Sequence, residues 1–159
     1  NVHLFNVTDQ PIRGRSSTWI APIQEHEVQI LADAVLAGTM KLSIPPGRST
    51  SMGKCTFDRD ATIFGILPHM HQTGVAMKVV AHTAAHGDVV FFDGAYRFDN
   101  QVSYPIDMVT VQKGDVVDVS CTYENATGAT LHWGESSNDE MCNAGIARFP
   151  AGGPSICNR

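Results

Sequence analysis

The sequence predicts an all-β protein: an antiparallel β-sandwich of jelly-roll type, built as a single domain. Gly, Pro, Asn or Asp residues punctuate the chain about every ten residues, and the segments between them are short and rich in β-branched and aromatic residues. With 159 residues the chain can bury a substantial core. It has no internal repeat and no long linker. We therefore expect one domain over residues 1–159.

Alternation, apolar runs and turn signals place the strands. In chain order we predict them at residues 2–7, 19–23, 40–44, 61–67, 75–82, 89–92, 94–98, 108–111, 116–123 and 140–149. The run at 61–67 is mostly apolar, which predicts an inner strand covered on both faces. Residues 28–36 fit a strand or a helix that ends near Gly38. We expect loops at 124–134 and 150–154, the second held by Cys157.

Charge and hydrophobicity exclude several classes of protein. The net charge is -5 and no basic run occurs, so neither nucleic acid nor an anionic membrane is an expected partner. No apolar run approaches the roughly 20 residues that cross a bilayer, so we expect a soluble mature chain. The chain begins at Asn1 with neither Met nor a signal peptide. We interpret it as a processed or excised piece of a longer protein.

The cysteines indicate the compartment. They form an even set, lie far apart and include no C-x-x-C pair: Cys55, Cys121, Cys142 and Cys157. We predict two disulfides and an extracytoplasmic location, secreted or periplasmic. The alternative is four buried free thiols in a cytosolic protein. Asn6 and Asn125 begin N-glycosylation sequons, which matter only in a eukaryotic secreted protein.

Residues 67–74, Leu-Pro-His-Met-His-Gln-Thr-Gly, carry the main chemical signal. His69 and His71 are separated by one residue in a segment that resembles a strand. Strand side chains alternate with period two, so we expect both imidazoles on one face. Such a pair is half of a metal site. The alternative is two polar residues on a solvated or hydrogen-bonded face.

Candidates for a third ligand lie elsewhere in the chain. His132 precedes the closing strand and could support the pair or contact a substrate. Three further histidines, His26, His82 and His86, have the surroundings of exposed residues. Met141 follows an acidic, Ser-rich loop, which is an unusual place for a methionine that fills a core. Both readings of Met141, ligand and core residue, remain open from its surroundings alone.

The histidine segment and residues 139–143, Asp-Glu-Met-Cys-Asn, together resemble one known domain. It is the C-terminal catalytic domain of the copper type II, ascorbate-dependent monooxygenases, which include peptidylglycine alpha-hydroxylating monooxygenase and dopamine beta-monooxygenase. The likeness extends to Ile-Pro-Pro-Gly at 44–47 and to Gly114-Asp115 ahead of Cys-Thr-Tyr at 121–123. All four cysteines also occur in matching order.

The resemblance implies ligands and disulfides. His69, His71 and Met141 fall on the family's ligands of the copper that binds dioxygen. Two imidazoles and a soft thioether suit copper, and Cu(I) in particular, and three protein ligands leave a position open. The resemblance also implies a bridge from Cys121 to Cys142, which would hold the residue next to Met141. The remaining pair, Cys55 and Cys157, would form the second bridge.

The resemblance further implies a partner domain. In the family a second copper, which transfers electrons, is held by three histidines on a preceding N-terminal domain. This chain has no adjacent His-His pair. His3 falls where the last of those histidines would lie, although it could equally be an ordinary residue near a terminus. We expect the chain to be the C-terminal half of the enzyme, and not to turn over efficiently alone.

Substrate contacts differ from those of the peptide-hydroxylating enzyme. Leu67 stands where that enzyme has an arginine for the substrate carboxylate, and an apolar side chain cannot make that contact. Asn143 matches an asparagine that helps to hold the peptide, whereas Gly145 replaces a tyrosine. We therefore expect a small or apolar substrate in place of a peptidylglycine.

The favoured function is the oxygen-activating domain of a copper-dependent monooxygenase. It would use dioxygen and ascorbate, as external reductant, to hydroxylate a substrate C–H bond. The alternative is an extracytoplasmic copper-binding or copper-handling module without oxidative turnover. A secreted β-sandwich with no metal is the third possibility.

Overall fold

The computed structural model describes residue 6, residues 8–153 and residues 155–158. This part of the chain contains one short 3-10 helix, Glu25–Glu27, and eleven strands. The strands are β1 Asp33–Thr39, β2 Ser43–Ile44, β3 Gly47–Thr56, β4 Ala61–His69, β5 Gly74–Thr83, β6 Gly87–Ala95, β7 Tyr104–Val111, β8 Val116–Asn125, β9 Leu131–His132, β10 Cys142–Phe149 and β11 Ser155–Asn158.

Eight strands form the two sheets of a jelly roll. One sheet has the order β1-β10-β4-β7 and the other β3-β8-β5-β6, and every neighbouring pair in both is antiparallel. β11 adds a parallel edge strand beside β1, and β2 pairs with β9 as a small separate ribbon. β1 and β10 lie against β3 and β8 across the sandwich. The predicted fold class is confirmed.

Alternating side chains build the core between the sheets. Along β8 every second residue is buried, from Val117 to Tyr123, and β10 buries Cys142, Ala144 and Ile146 in the same way. This period of two is what a strand with one face on a core requires. On the opposite side of β10, Gly145, Ala147 and Phe149 are half-exposed. The outer face of this sheet is therefore accessible.

Two disulfides join the sheets, with the pairing that the resemblance implied. Cys121 of β8 bonds to Cys142 of β10, and Cys55 of β3 bonds to Cys157 of β11. Each bridge crosses the sandwich, because its two strands belong to different sheets. The prediction of two disulfides is confirmed, and the described residues include no free cysteine.

A buried ion pair secures the start of β1 and the end of β10. Arg148 is fully buried, and its Nε donates to Asp33 Oδ1 at 2.8 Å while Nη1 donates to Asp58 Oδ1 at 3.2 Å. The bond from Arg148 is the main cause that lowers the pKa of Asp33 below its ordinary value. The pKa of Asp58 falls to about 2, chiefly through its bond to Arg59 and further through Arg148.

Some predicted elements differ from the structure. Residues 19–23 form no strand, and Trp19 is 94% exposed. The ambiguous segment is a strand only from Asp33, and the strand predicted at 40–44 shrinks to Ser43–Ile44. Residues 96–98 lie beyond β6, and the predicted loop at 124–134 contains β9. β3 and β11 were not predicted, and the strand predicted at 2–7 falls almost entirely outside the described residues.

The expectation that the run at 61–67 is covered on both faces was wrong. In β4 Ile63 and Ile66 are buried, but Leu67 is exposed and Phe64 is only half-buried. β7 is the edge strand beside β4. The apolar run thus supplies both a core face and an accessible apolar face.

The two sequons have different environments. Asn6 is exposed. Asn125 is 2% exposed, and its amide nitrogen donates to the carbonyls of Ile44 and Ala129 at 3.0 and 2.7 Å. This amide links the end of β8 to β2 and to the loop at Ala129. In the folded domain the nitrogen of Asn125 is inaccessible to a glycosylating enzyme.

Candidate metal centre

The histidine segment and the methionine segment meet at one end of the paired strands β4 and β10. His69 is the last residue of β4 and stands directly opposite Asn143 of β10. Cys142 faces the core through its disulfide, so its strand neighbour Asn143 faces outward, together with His69. Met141 lies two residues before Asn143, immediately ahead of β10. The antiparallel register thus brings the two motifs side by side.

The two imidazoles are close, although not through strand alternation. β4 ends at His69, and His71 lies in the turn that follows. The ring centroids are nevertheless 5.3 Å apart, with the ring planes at 87°. His71 is 5% exposed and packs edge-on against Phe98 at 6.1 Å, whereas His69 is half-buried. The rings are close, but His71 lies outside β4, so the strand alternation on which the prediction was based does not extend to it.

Each imidazole is held by its Nδ1 atom. Nδ1 of His69 is 2.7 Å from Oε1 of Gln101, and Nδ1 of His71 is 3.1 Å from the carbonyl oxygen of Asp139. Both partners are acceptors, so Nδ1 of each ring carries the proton as donor. This tautomer leaves Nε2 with the lone pair that a metal needs. An imidazole in this tautomer can bind a metal through Nε2, which makes the two rings candidate ligands.

Glu140 connects His71 to Met141. Its side chain is fully buried, and Oε2 accepts from the backbone N–H of His71 at 2.9 Å and of Met141 at 3.2 Å. The other oxygen, Oε1, accepts from the N–H and the hydroxyl of Thr73 at 2.7 and 2.8 Å. One carboxylate thus fixes the turn that carries His71 and the residue that carries the thioether.

Two buried tyrosines hold the same backbone from the core side. The hydroxyl of Tyr96 donates to the carbonyl of Met70, between the two histidines, and that of Tyr123 donates to the carbonyl of Met141 at 2.9 Å. Burial raises the pKa of Tyr96 to about 12, and burial with the charge of Glu140 raises that of Tyr123 further. Both hydroxyls therefore remain protonated donors at physiological pH.

Close packing fixes the turn after His71. Met70 is fully buried, and a Cβ added to Gly74 would lie 2.7 Å from the Cβ of Met70. A side chain at Gly74 would therefore displace Met70 and with it the segment between the histidines. The side-chain amide of Gln72 also donates to the carbonyl of Ser137 at 2.9 Å, which ties this turn to the Ser-rich loop.

The other predicted site residues have separate positions. Leu67 and Gly145 are register partners on the outer face, next to the His69–Asn143 pair. Asn143 is 3% exposed, and its Oδ1 has no hydrogen-bond partner among the described residues. His132 is exposed on β9 with Nδ1 3.2 Å from the carbonyl of Leu42, and its own carbonyl accepts from the N–H of Glu140 at 3.0 Å. His3 lies outside the described residues.

The remaining central histidines are away from the pair. His26 is exposed in the 3-10 helix. His82 is exposed between Asp88 and Asp118, at 2.7 and 3.3 Å, and the bond to Asp88 is the main cause that raises its pKa. His86 contacts the hydroxyl of Thr110. These surroundings agree with the expectation that the three residues are exposed.

Sequence reasoning missed the residues that hold the site. Gln101, Tyr96 and Tyr123 have no local signature, because their roles arise from contacts between distant strands. Glu140 offered one signal: a carboxylate at the start of a mostly apolar closing segment must find several donors if it is buried. That signal points to a hydrogen-bonding role, although it does not identify the partners.

The described residues contain no group of three or more His, Cys, Asp or Glu side chains that could hold a metal. Two imidazoles and a thioether are a different donor set, and they fit a soft ion such as Cu(I). In the same part of the chain no helix is long and apolar enough to cross a bilayer. Fold and residues together define a disulfide-bonded jelly-roll domain with two adjacent imidazoles, close to the segment that carries Met141.

The sequence match identifies the family. Residues 30–159 match the copper type II ascorbate-dependent monooxygenase, C-terminal domain, and the chain belongs to this family. A search of curated proteins gives no significant match. The resemblance in the two motifs is thereby confirmed over most of the chain. Family membership and the two disulfides are consistent with an extracellular location.

Proposed function

We propose that this domain holds the copper at which a monooxygenase activates dioxygen, with His69, His71 and Met141 as ligands. The observation that carries the proposal is that Oε2 of Glu140 accepts hydrogen bonds from the N–H groups of both His71 and Met141. Burying a carboxylate is costly unless it is hydrogen-bonded, and Glu140 makes its hydrogen bonds to the two segments that carry His71 and Met141. The hydrogen bonds of Nδ1 in both imidazoles support the same role, because they orient the two rings.

Copper bound at these residues would supply one-electron chemistry with dioxygen. The overall reaction is the conversion of a substrate C–H bond, O2, two electrons and two protons into C–OH and water, with ascorbate as the source of electrons. The chain's own part is to present two Nε2 atoms and a thioether and to keep their backbone rigid. Three protein ligands leave a coordination position open.

Substrate would be held on the outer face beside His69. Asn143 is the proposed polar contact, because its buried Oδ1 lacks a partner among the described residues and a substrate donor would satisfy it. Leu67 is proposed as an apolar contact that cannot pair with a carboxylate. His132 is retained as a candidate contact through its backbone link to Glu140.

The second copper is proposed to lie on an N-terminal domain, which the description of the family as a C-terminal domain supports. His3 is a proposed ligand of that copper. We further propose that the protein works outside the cytoplasm, where its disulfides are stable. The sequence holds no adjacent His-His pair, so the chain alone lacks a complete second copper set. This observation keeps copper binding without oxidative turnover as the second candidate function.

Copper titration of single variants tests the ligand set. We expect the wild type to bind one Cu(I), measured by competition with a Cu(I) chelator. His69→Ala, His71→Ala and Met141→Ala should each weaken binding by at least about tenfold. His82→Ala is the matched control, because it removes an exposed imidazole far from Glu140 and should leave affinity unchanged. Undiminished copper binding in both His69→Ala and Met141→Ala would refute the site.

Turnover separates the two candidate functions. The domain joined to its N-terminal domain should consume O2 in the presence of ascorbate, and Met141→Ala should abolish that consumption while the fold persists. Tight copper binding with no oxygen consumption in the joined protein would instead favour the copper-handling role.

A further inference from the structure

An apolar groove opens on the outer face of the sheet that carries His69. Its volume is about 470 Å³, and it runs between β4, β7 and β10. The side chains and backbone that shape it are Phe64, Gly65, Leu67, Tyr104, Gly145 and Ala147. This volume lies within the range of pockets that bind small molecules.

Small residues and an irregular strand pair create the concavity. Gly145 faces Leu67 and Ala147 faces Gly65 in the register of β10 with β4, so three of these four positions lack a bulky side chain. Between Ile63 and Gly65 the pairing of β4 with β7 shifts register. A shift of this kind bends a strand and separates it locally from its neighbour. A face that would otherwise be flat thereby acquires a groove.

The candidate ligand His69 lies next to one end of the groove, on the same face of the sheet. Leu67 and His69 are two residues apart on the outer side of β4, and their partners Gly145 and Asn143 are two residues apart on β10. Two residues along a strand span about 6.6 Å. A molecule in the groove would therefore have one end directed toward His69 and Asn143.

The lining specifies the chemistry of the occupant. None of the described residues around the groove carries a charge, and only Ser103 and Tyr104 bear polar side chains. A carboxylate or an ammonium group placed here would lose hydration without gaining a charged partner. An apolar body would gain by leaving water, and one hydrogen-bond donor at its end could pair with Asn143.

We propose that the groove is a binding site for an uncharged substrate with an apolar body, and that Leu67 and Gly145 determine this specificity. The inference rests on the proposed function, because it identifies the groove as the substrate site of the same centre. Gly145 provides the space, and Leu67 excludes anionic groups.

Ligand binding to the copper-free protein tests the groove independently of copper. The probes are ethylbenzene, which is uncharged, and phenylacetate, which is similar in size and anionic. Titrations followed by amide chemical shifts should show saturable binding of ethylbenzene, with the largest changes at Gly65, Gly145 and Ala147. Phenylacetate should bind at least about tenfold more weakly, the effect of one unpaired charge in an apolar site.

Variants distinguish the groove from nonspecific apolar binding. Gly145→Phe should fill it and weaken ethylbenzene by about tenfold or more. Leu67→Arg should do the same and improve phenylacetate binding, because a guanidinium pairs with a carboxylate. Val90→Arg, on an exposed position of β6 in the other sheet, is the control and should change neither affinity. Thermal unfolding of each variant establishes that it is folded.

The outcomes separate this inference from the proposed function. Normal copper binding with no saturable ethylbenzene binding, or with shifts unaffected by Gly145→Phe, would overturn the groove and leave the copper site intact. Ethylbenzene binding without copper binding would retain the groove and refute the proposed function. Dimerisation that Leu67→Arg abolishes, in a protein that binds no ethylbenzene, would show that a second copy covers the groove and would also overturn the inference.

Discussion

Removing the carboxylate of Glu140 tests how the candidate ligands are positioned. In Glu140→Ala, the backbone N–H groups of His71, Thr73 and Met141 lose their common acceptor. Each buried donor left unpaired costs about 1–3 kcal/mol, so three donors together cost about 3–9 kcal/mol. Water that enters the vacated space pairs with some of them and brings the loss to the lower part of this summed range. We expect the free energy of unfolding to fall by about 3–5 kcal/mol. Copper affinity should fall by about 10–100-fold, as for residues that orient metal ligands.

A conservative variant separates stability from positioning. Glu140→Gln can turn its amide oxygen toward His71 and Met141, and its NH2 group would then face the N–H of Thr73. It should restore most of the copper affinity and only part of the stability. Glu135→Ala, which removes an exposed acid of the same loop, is the control for charge. Urea unfolding and competition with a Cu(I) chelator provide the two measurements.

The reasoning has a clear point of failure. A Glu140→Ala protein that unfolds more easily but binds Cu(I) within a factor of about two of the wild type would show that the carboxylate only stabilises the fold. If neither quantity changes, the hydrogen bonds of Glu140 contribute little. A positioning role predicts that Glu140→Gln restores the copper affinity more fully than it restores the stability.

Two further predictions concern the frame around the site. Removing the Cys121–Cys142 bridge by double substitution to Ala should lower the stability by about 2–5 kcal/mol and also weaken Cu(I) binding. Removing the Cys55–Cys157 bridge should lower the stability alone, because its strands carry no candidate ligand. Equal copper affinity in the two double variants would contradict this prediction. The pKa of Asp33 is lowered in the folded protein, so its contribution is present above about pH 4 and is lost as the pH falls through the folded pKa. Asp33→Asn should therefore lower the stability at neutral pH by about 3 kcal/mol. It should also reduce the loss of stability that the wild type shows as the pH falls below about 4. An unchanged loss at acidic pH would argue against this ion pair.

The strands that were predicted correctly are those with a local signal. Alternation or an apolar run located most of β4, β5, β8 and β10 and half of β7, because a strand with one buried face requires such patterns. β3 has a small, polar sequence and becomes a strand through its ten-residue pairing with β8. Residues 19–23 have strand propensity but no partner strand, and Trp19 remains exposed. Strand propensity describes a fit to neighbours that the local sequence does not reveal.

The sequence by itself determined the chemical types at the centre and their order: a histidine pair, a methionine beside a cysteine, and the motifs that identify the family. The tertiary structure decided how those residues are held. Glu140 reaches across to the turn that carries His71, and Gln101 and two tyrosines contact the candidate ligand segments from other parts of the chain. The apolar groove forms where β4, β7 and β10 meet. The physical reason is range: residue types and short patterns are local, whereas hydrogen bonds between strands and the shape of a sheet face arise from pairings between residues far apart in sequence.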